Sequence, residues 1–177
     1  MISPTFSKGD SKEVPPAFLN AIEQTAVSEW LRSSPSLVGY WFIISWHAIG
    51  MVLLMGVSIF VSSRVLGVGN GLPLSTLRRL YQLIWFGFWV QVISGLLLLV
   101  AYPTKVLTAP AFYIKIACIA YGMVLMVRLE KLLPVTGDAP TSPQMVQLAK
   151  WSLVLWLAAL TAGRFIAYTY KYATYPL

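Results

Sequence analysis

Charge is scarce in this chain. Asp, Glu, Lys and Arg make up 11% of its 177 residues, against about 25% in soluble domains. Hydrophobic residues reach 58%, where about 45–50% is usual, which excludes an ordinary water-soluble globule. The shortage is also local: no charged residue falls between Ser33 and Ser63, or between Leu80 and Thr104. Each run exceeds the ~20 residues that a helix needs to cross ~30 Å of hydrocarbon. Acidic residues are absent from the interiors of the expected spans, which disfavours a proton-driven pump or carrier. The single cysteine, Cys118, excludes an intrachain disulfide. No nucleophile with its base, zinc site, phosphate loop or pair of carboxylates is recognisable. Residues 1–35 lack the apolar centre and small-residue cleavage site of a secretory signal, so the first span is expected to act as an uncleaved anchor.

What is present predicts an all-α fold: an integral membrane four-helix bundle with an N-terminal amphipathic interfacial helix. Residues 1–15 are polar, with Gly and Pro, and suit a flexible tail. Pro15-Pro16 then opens an interfacial helix over 16–34, because proline in a first turn loses no helical hydrogen bond. Phe18, Leu19, Ile22, Ala26 and Trp30 recur there at helical spacing. Ser33 to Ser36, with Pro35, breaks it. The bundle occupies residues 35–172, with spans at about 37–63, 77–102, 110–132 and 144–171. Loops rich in Gly and Pro join the first span to the second and the third to the fourth, and Pro103 and Pro110 bracket the remaining turn. Tyr168, Tyr170, Tyr172 and Tyr175 suit the boundary where a ring is buried and its hydroxyl is wet.

The formal charge of +7 is spread over the ends of apolar runs rather than gathered on one face. Membrane lipids with anionic headgroups are therefore the expected partner, and nucleic acid is not. Arg64, Arg78, Arg79, Arg128, Lys131 and Lys150 flank the two loops on one side, against Arg32, Lys105 and Lys171 on the other. The positive-inside rule places those two loops in the cytoplasm and both termini outside.

A central charge in the membrane costs about 2.5–3.5 kcal/mol on insertion scales, so the few polar groups within the spans need a reason. His47 lies ~15 Å into the first span, counted from residue 37 at 1.5 Å per residue. Neutral imidazole there is either an axial ligand for haem iron, a ligand for copper, or a group hydrogen-bonded to another helix. Gly50, near the same face, would leave room for a flat macrocycle. Lys115 and Arg164 fall in the same outer half as His47, because the third and fourth spans run in opposite directions. That gradient suits haem b, with His47 as metal ligand and the two cations on its propionates. The alternative is that both cations snorkel to the headgroups. Gln91 and Ser94, with Gly95, suit interhelical hydrogen bonding and close packing. Met51, Met55, Met123, Met126 and Cys118 are soft enough for copper(I), but equally ordinary as apolar filler.

Several short motifs, in order, are similar to a family of small, functionally unassigned bacterial four-helix membrane proteins that loosely resembles copper-resistance protein D. They are SWHAIGMVLLMG, the following Arg64-Val65-Leu66-Gly67, SGLLLLVAYP, LTAPAFYIKI and AGRFIAY, across residues 20–170. The resemblance implies a membrane bundle with a histidine in the first helix; together with the count of basic residues, the expectation is a multi-pass protein of the bacterial inner membrane with both termini periplasmic. Family members often look as if a second histidine ends the third helix. Here YGMVLMVRLEK offers Met126 or Arg128 instead, so one chain cannot give haem two histidines.

The leading expectation is a structural or accessory subunit without catalytic activity of its own, in a homo-oligomer or larger membrane complex. The alternatives are a haem-b redox protein and a copper(I)-handling protein.

Overall fold

The computed structural model describes residue 18 and residues 21–22, 24–33, 39–69 and 71–174, with the backbone alone for Arg32, Ser33 and residues 166–174. The expected tail at 1–15, the break at Ser34 to Ser36 and the ring positions of the terminal tyrosines lie outside that description. Among the described residues there is no strand. The helices are α1 (Ala26–Ser33), α2 (Tyr40–Val65, including a π-turn at Val52–Gly56), α3 (Leu74–Ala101), the short α4 (Pro103–Leu107), α5 (Pro110–Leu132) and α6 (Pro143–Thr174). Four of these, α2, α3, α5 and α6, are long and apolar enough to cross a membrane.

The distribution of side chains is that of a membrane protein. Trp41, Trp85, Trp89, Tyr121 and Trp151 are exposed, whereas Ser58, Ser62, Gln91, Ser94 and Ser152 are buried. In water this arrangement would leave a large apolar surface unpaired. In lipid it is the stable one, because the exposed rings meet hydrocarbon and the buried hydroxyls find partners within the bundle. The chain is an all-α, multi-pass integral membrane protein.

The helices do not pack symmetrically. The first half of α2 lies along α3, its second half packs chiefly on α6, and α5 packs on α6. The change of neighbour coincides with the π-turn. One extra residue there rotates the helix that follows by about 100°. His47 and Gly50 therefore face α3, while Ser62 reaches Met126 of α5, its hydroxyl 4.0 Å from the sulfur. Ser152 of α6 donates to the same sulfur at 3.3 Å, so Met126 ties three helices. Between α5 and α6 the close approach is made by Gly122, where a Cβ would stand 3.0 Å from the Trp156 ring.

Several boundaries differ from the expected ones for local reasons. α2 ends in a Schellman motif: Gly67, at φ 96°, donates to the Arg64 carbonyl, and Val68 donates to that of Ser63. α3 begins three residues earlier than expected because the α5–α6 loop caps it. The Leu74 amide donates to Asp138 Oδ1 at 3.2 Å and the Ser75 amide to the Gly137 carbonyl at 3.3 Å. Where a simple turn was expected between Pro103 and Pro110, proline at the first position starts the extra helix α4.

Among the described residues, the segment expected as one helix over 16–34 is interrupted. The chain turns at Gln24 and Thr25, and α1 starts at Ala26 with the Thr25 hydroxyl oxygen accepting from the Ser28 amide at 3.4 Å. Its docking face is also different. Leu31 and Ser28 are buried, and the Ser28 hydroxyl donates to the Ala101 carbonyl at 3.3 Å, while Val27 and Trp30 point away from the bundle. Leu31 packs with Ile43 and Ala101, so the short helix is held by the start of α2 and the end of α3.

Candidate functional site

His47 stands seven residues into α2, ~10 Å from its start and so shallower than expected, because the helix begins at Tyr40. Its half-buried ring faces α3, and both ring nitrogens have partners there. The Ser94 hydroxyl donates to the Val90 carbonyl at 2.6 Å, a bond to its own helix one turn back. Its oxygen therefore accepts from His47 Nδ1–H, 3.0 Å away. That tautomer leaves Nε2 bare, and the Gln91 amide donates to it at 2.9 Å. Gln91 and Ser94 are three residues apart and thus on one face of α3, which is why both reach a single ring. Gly95 completes the face: a Cβ there would lie 3.5 Å from His47 Cε1. The second Gln91 amide atom, Oε1, is buried with no partner among the described residues.

One turn below, the two backbones touch. A Cβ on Gly50 would fall 2.9 Å from the Gln91 nitrogen, and one on Gly87 would fall 2.7 Å from the Leu54 nitrogen. The pair works as the small-residue contacts of membrane helices do, by allowing close backbone approach. The space expected beside Gly50 for a macrocycle is filled by α3.

Lys115 and Arg164 come near one another, as their positions in the sequence suggested. The Lys115 stem crosses the Gly163 backbone, where a Cβ would stand 3.8 Å from its Cδ, and Arg164 follows in the chain. Lys115 is half-buried; Arg164 is exposed. Neither has a hydrogen bond or ion pair among the described residues. His47, Gln91 and Ser94 thus form one cluster between α2 and α3, while Lys115 lies against Gly163, with Arg164 next to it in the chain.

A haem does not fit these residues as they stand. Iron needs a free imidazole nitrogen, and both are engaged. Met126 cannot serve as a second ligand either: it meets Ser62, fifteen residues beyond His47 on α2 and therefore ~22 Å along the axis. For copper, the described residues contain no group of three or more His, Cys, Asp or Glu side chains able to hold a metal. Met55, Met123 and Met126 are buried in the apolar core with Leu54 and Leu129.

Gln91 and Ser94, expected in interhelical bonding, both find their partner in His47. A second polar cluster, which no polar residue within the spans predicts, lies at the other end of the bundle. Arg64, read only as a topology signal, is buried, donates through Nε to the Leu72 carbonyl at 2.6 Å and lies 3.5 Å from Asp138. Arg78 reaches the Leu133 carbonyl at 3.2 Å at the same end. The available signal was Asp138 itself, an acid set beside glycine in a short loop otherwise flanked by cations.

Comparison with protein-family models, curated proteins and solved structures found no match.

Proposed function

We propose that this chain is a structural or accessory subunit of a membrane assembly, without catalytic activity of its own. It sits in a bacterial inner membrane with both termini on the periplasmic side. The observation that carries the reading is the direction of His47: each ring nitrogen is engaged by α3, so the imidazole joins two helices rather than offering an electron pair to a ligand. Hydrogen bonds of this kind hold membrane helices in register, because an unpaired polar group in hydrocarbon is costly. Exposed Trp85, Phe86, Trp89 and Ile93 along α3 give a wide apolar face against which lipid, another copy or a partner helix can pack. Kinship with the family that SWHAIGMVLLMG and AGRFIAY resemble belongs to the same proposal.

The test is made on full-length protein purified in mild detergent, by visible spectrum, metal analysis and thermal unfolding. The expected result is a preparation with no Soret band and no stoichiometric copper, in which His47→Ala lowers the unfolding temperature. A Soret band that His47→Ala abolishes would overturn the reading in favour of a haem protein. Copper bound one to one would overturn it in favour of a copper-handling one.

A further inference from the structure

A second site lies at the opposite end of the bundle from His47. A cavity of about 510 Å³ opens between the end of α2, the start of α3, the α5–α6 loop and the first turns of α6. That volume is within the roughly 300–1,000 Å³ typical of small-ligand sites.

Two cations line it, Arg64 and Lys150, against one acid, Asp138. The Arg64 side chain is only 7% exposed, yet its guanidinium is incompletely paired. Nε is held by the Leu72 carbonyl, and Nη2 is 3.5 Å from Asp138, well beyond the roughly 2.7–2.9 Å of a charge-assisted bond. Nη1 has no partner among the described residues. Asp138 is itself divided, because its other oxygen accepts from the Leu74 amide. Lys150, exposed on α6, has no ion pair among the described residues, and Thr141 adds a hydroxyl to the lining. A largely buried guanidinium with unfilled donors, a second cation across the cavity and a neutral hydroxyl form a receptor for a compact anion with several acceptor oxygens.

We infer that this cavity binds a phosphate group, carried by an anionic phospholipid headgroup or by free phosphate. It lies where α2 ends in a turn, at the level of the exposed cations Arg79, Arg128 and Lys131, which would draw anions towards it. The inference goes beyond the proposed function and does not depend on how His47 is used.

The test uses the full chain in phosphatidylcholine nanodiscs, titrated by calorimetry with inorganic phosphate and separately with short-chain phosphatidylglycerol. Saturable one-to-one binding of at least one of them is expected. Lys150→Glu weakens it roughly tenfold or more, and Lys150→Ala serves if the reversal does not fold. Arg79→Glu, at the same end but outside the cavity lining, changes it less than about twofold. Binding of the lipid alone identifies a headgroup site; equal binding of inorganic phosphate identifies a site for the free anion. The inference fails if neither probe saturates. It also fails if Arg79→Glu costs as much affinity as Lys150→Glu, which would mark a diffuse surface attraction.

Discussion

The Gln91 amide nitrogen stands 2.9 Å from Nε2 of His47, joining α3 to α2 through the only histidine in the chain. With Ser94 on the other ring nitrogen, three side chains close one interhelical network.

That network predicts energetic coupling. Interhelical hydrogen bonds in membranes are worth about 0.6 kcal/mol on average and up to about 1.7. His47→Ala and Gln91→Leu should therefore each destabilise the fold. In a double-mutant cycle measured by detergent unfolding, their effects should be non-additive by about 0.5–1.5 kcal/mol. Strict additivity would mean that the two side chains do not act on each other.

The helix contact beneath it predicts a contrast between two glycines. Gly87→Ala places a methyl 2.7 Å from the Leu54 backbone nitrogen, which has no side chain that can move aside. A cost of about 1–3 kcal/mol follows from overpacking. Gly56→Ala meets nothing nearer than Val52 Cγ1 at 3.9 Å and should be tolerated. Parallel thermal unfolding of the two variants checks this; equal losses would show that close backbone approach is not what Gly87 supplies.

At the loop end, Asp138→Ala removes the acceptor for the Leu74 amide and leaves buried Arg64 without its acid. Loss of a helix cap alone costs about 1 kcal/mol, and the unpaired guanidinium adds to it. Asp138→Asn keeps an acceptor for Leu74 and should fall between wild type and alanine. The unfolding temperatures of the three proteins give the order directly.

Orientation is open to a labelling experiment in a Cys118→Ser background. Thr108, after α4, and Val135, between α5 and α6, are both exposed and lie at opposite ends of the bundle. Thr108→Cys should react with a membrane-impermeant maleimide in intact spheroplasts, and Val135→Cys only after permeabilisation. The reverse pattern would invert the topology proposed from the basic residues.

Uncharged runs long enough to span hydrocarbon, the prolines and glycines between them and the sparse acids are local properties. Sequence alone therefore determined the number of spans and the all-α class. It also singled out His47, Gln91, Ser94, Lys115 and Arg164, because polar side chains are rare enough in such runs to be conspicuous. Which face each one turned to was a different matter. The π-turn at Val52–Gly56 changes the rotational phase of α2 and leaves no mark in hydropathy, so only the tertiary structure decided that His47 looks at α3 while Ser62 looks at Met126. The same holds for Arg64 and Asp138, 74 residues apart in sequence and joined by chain reversals whose geometry no local pattern encodes. A residue's chemistry and depth follow from its neighbours along the chain; its partners depend on how helices rotate and meet, and that is settled by packing.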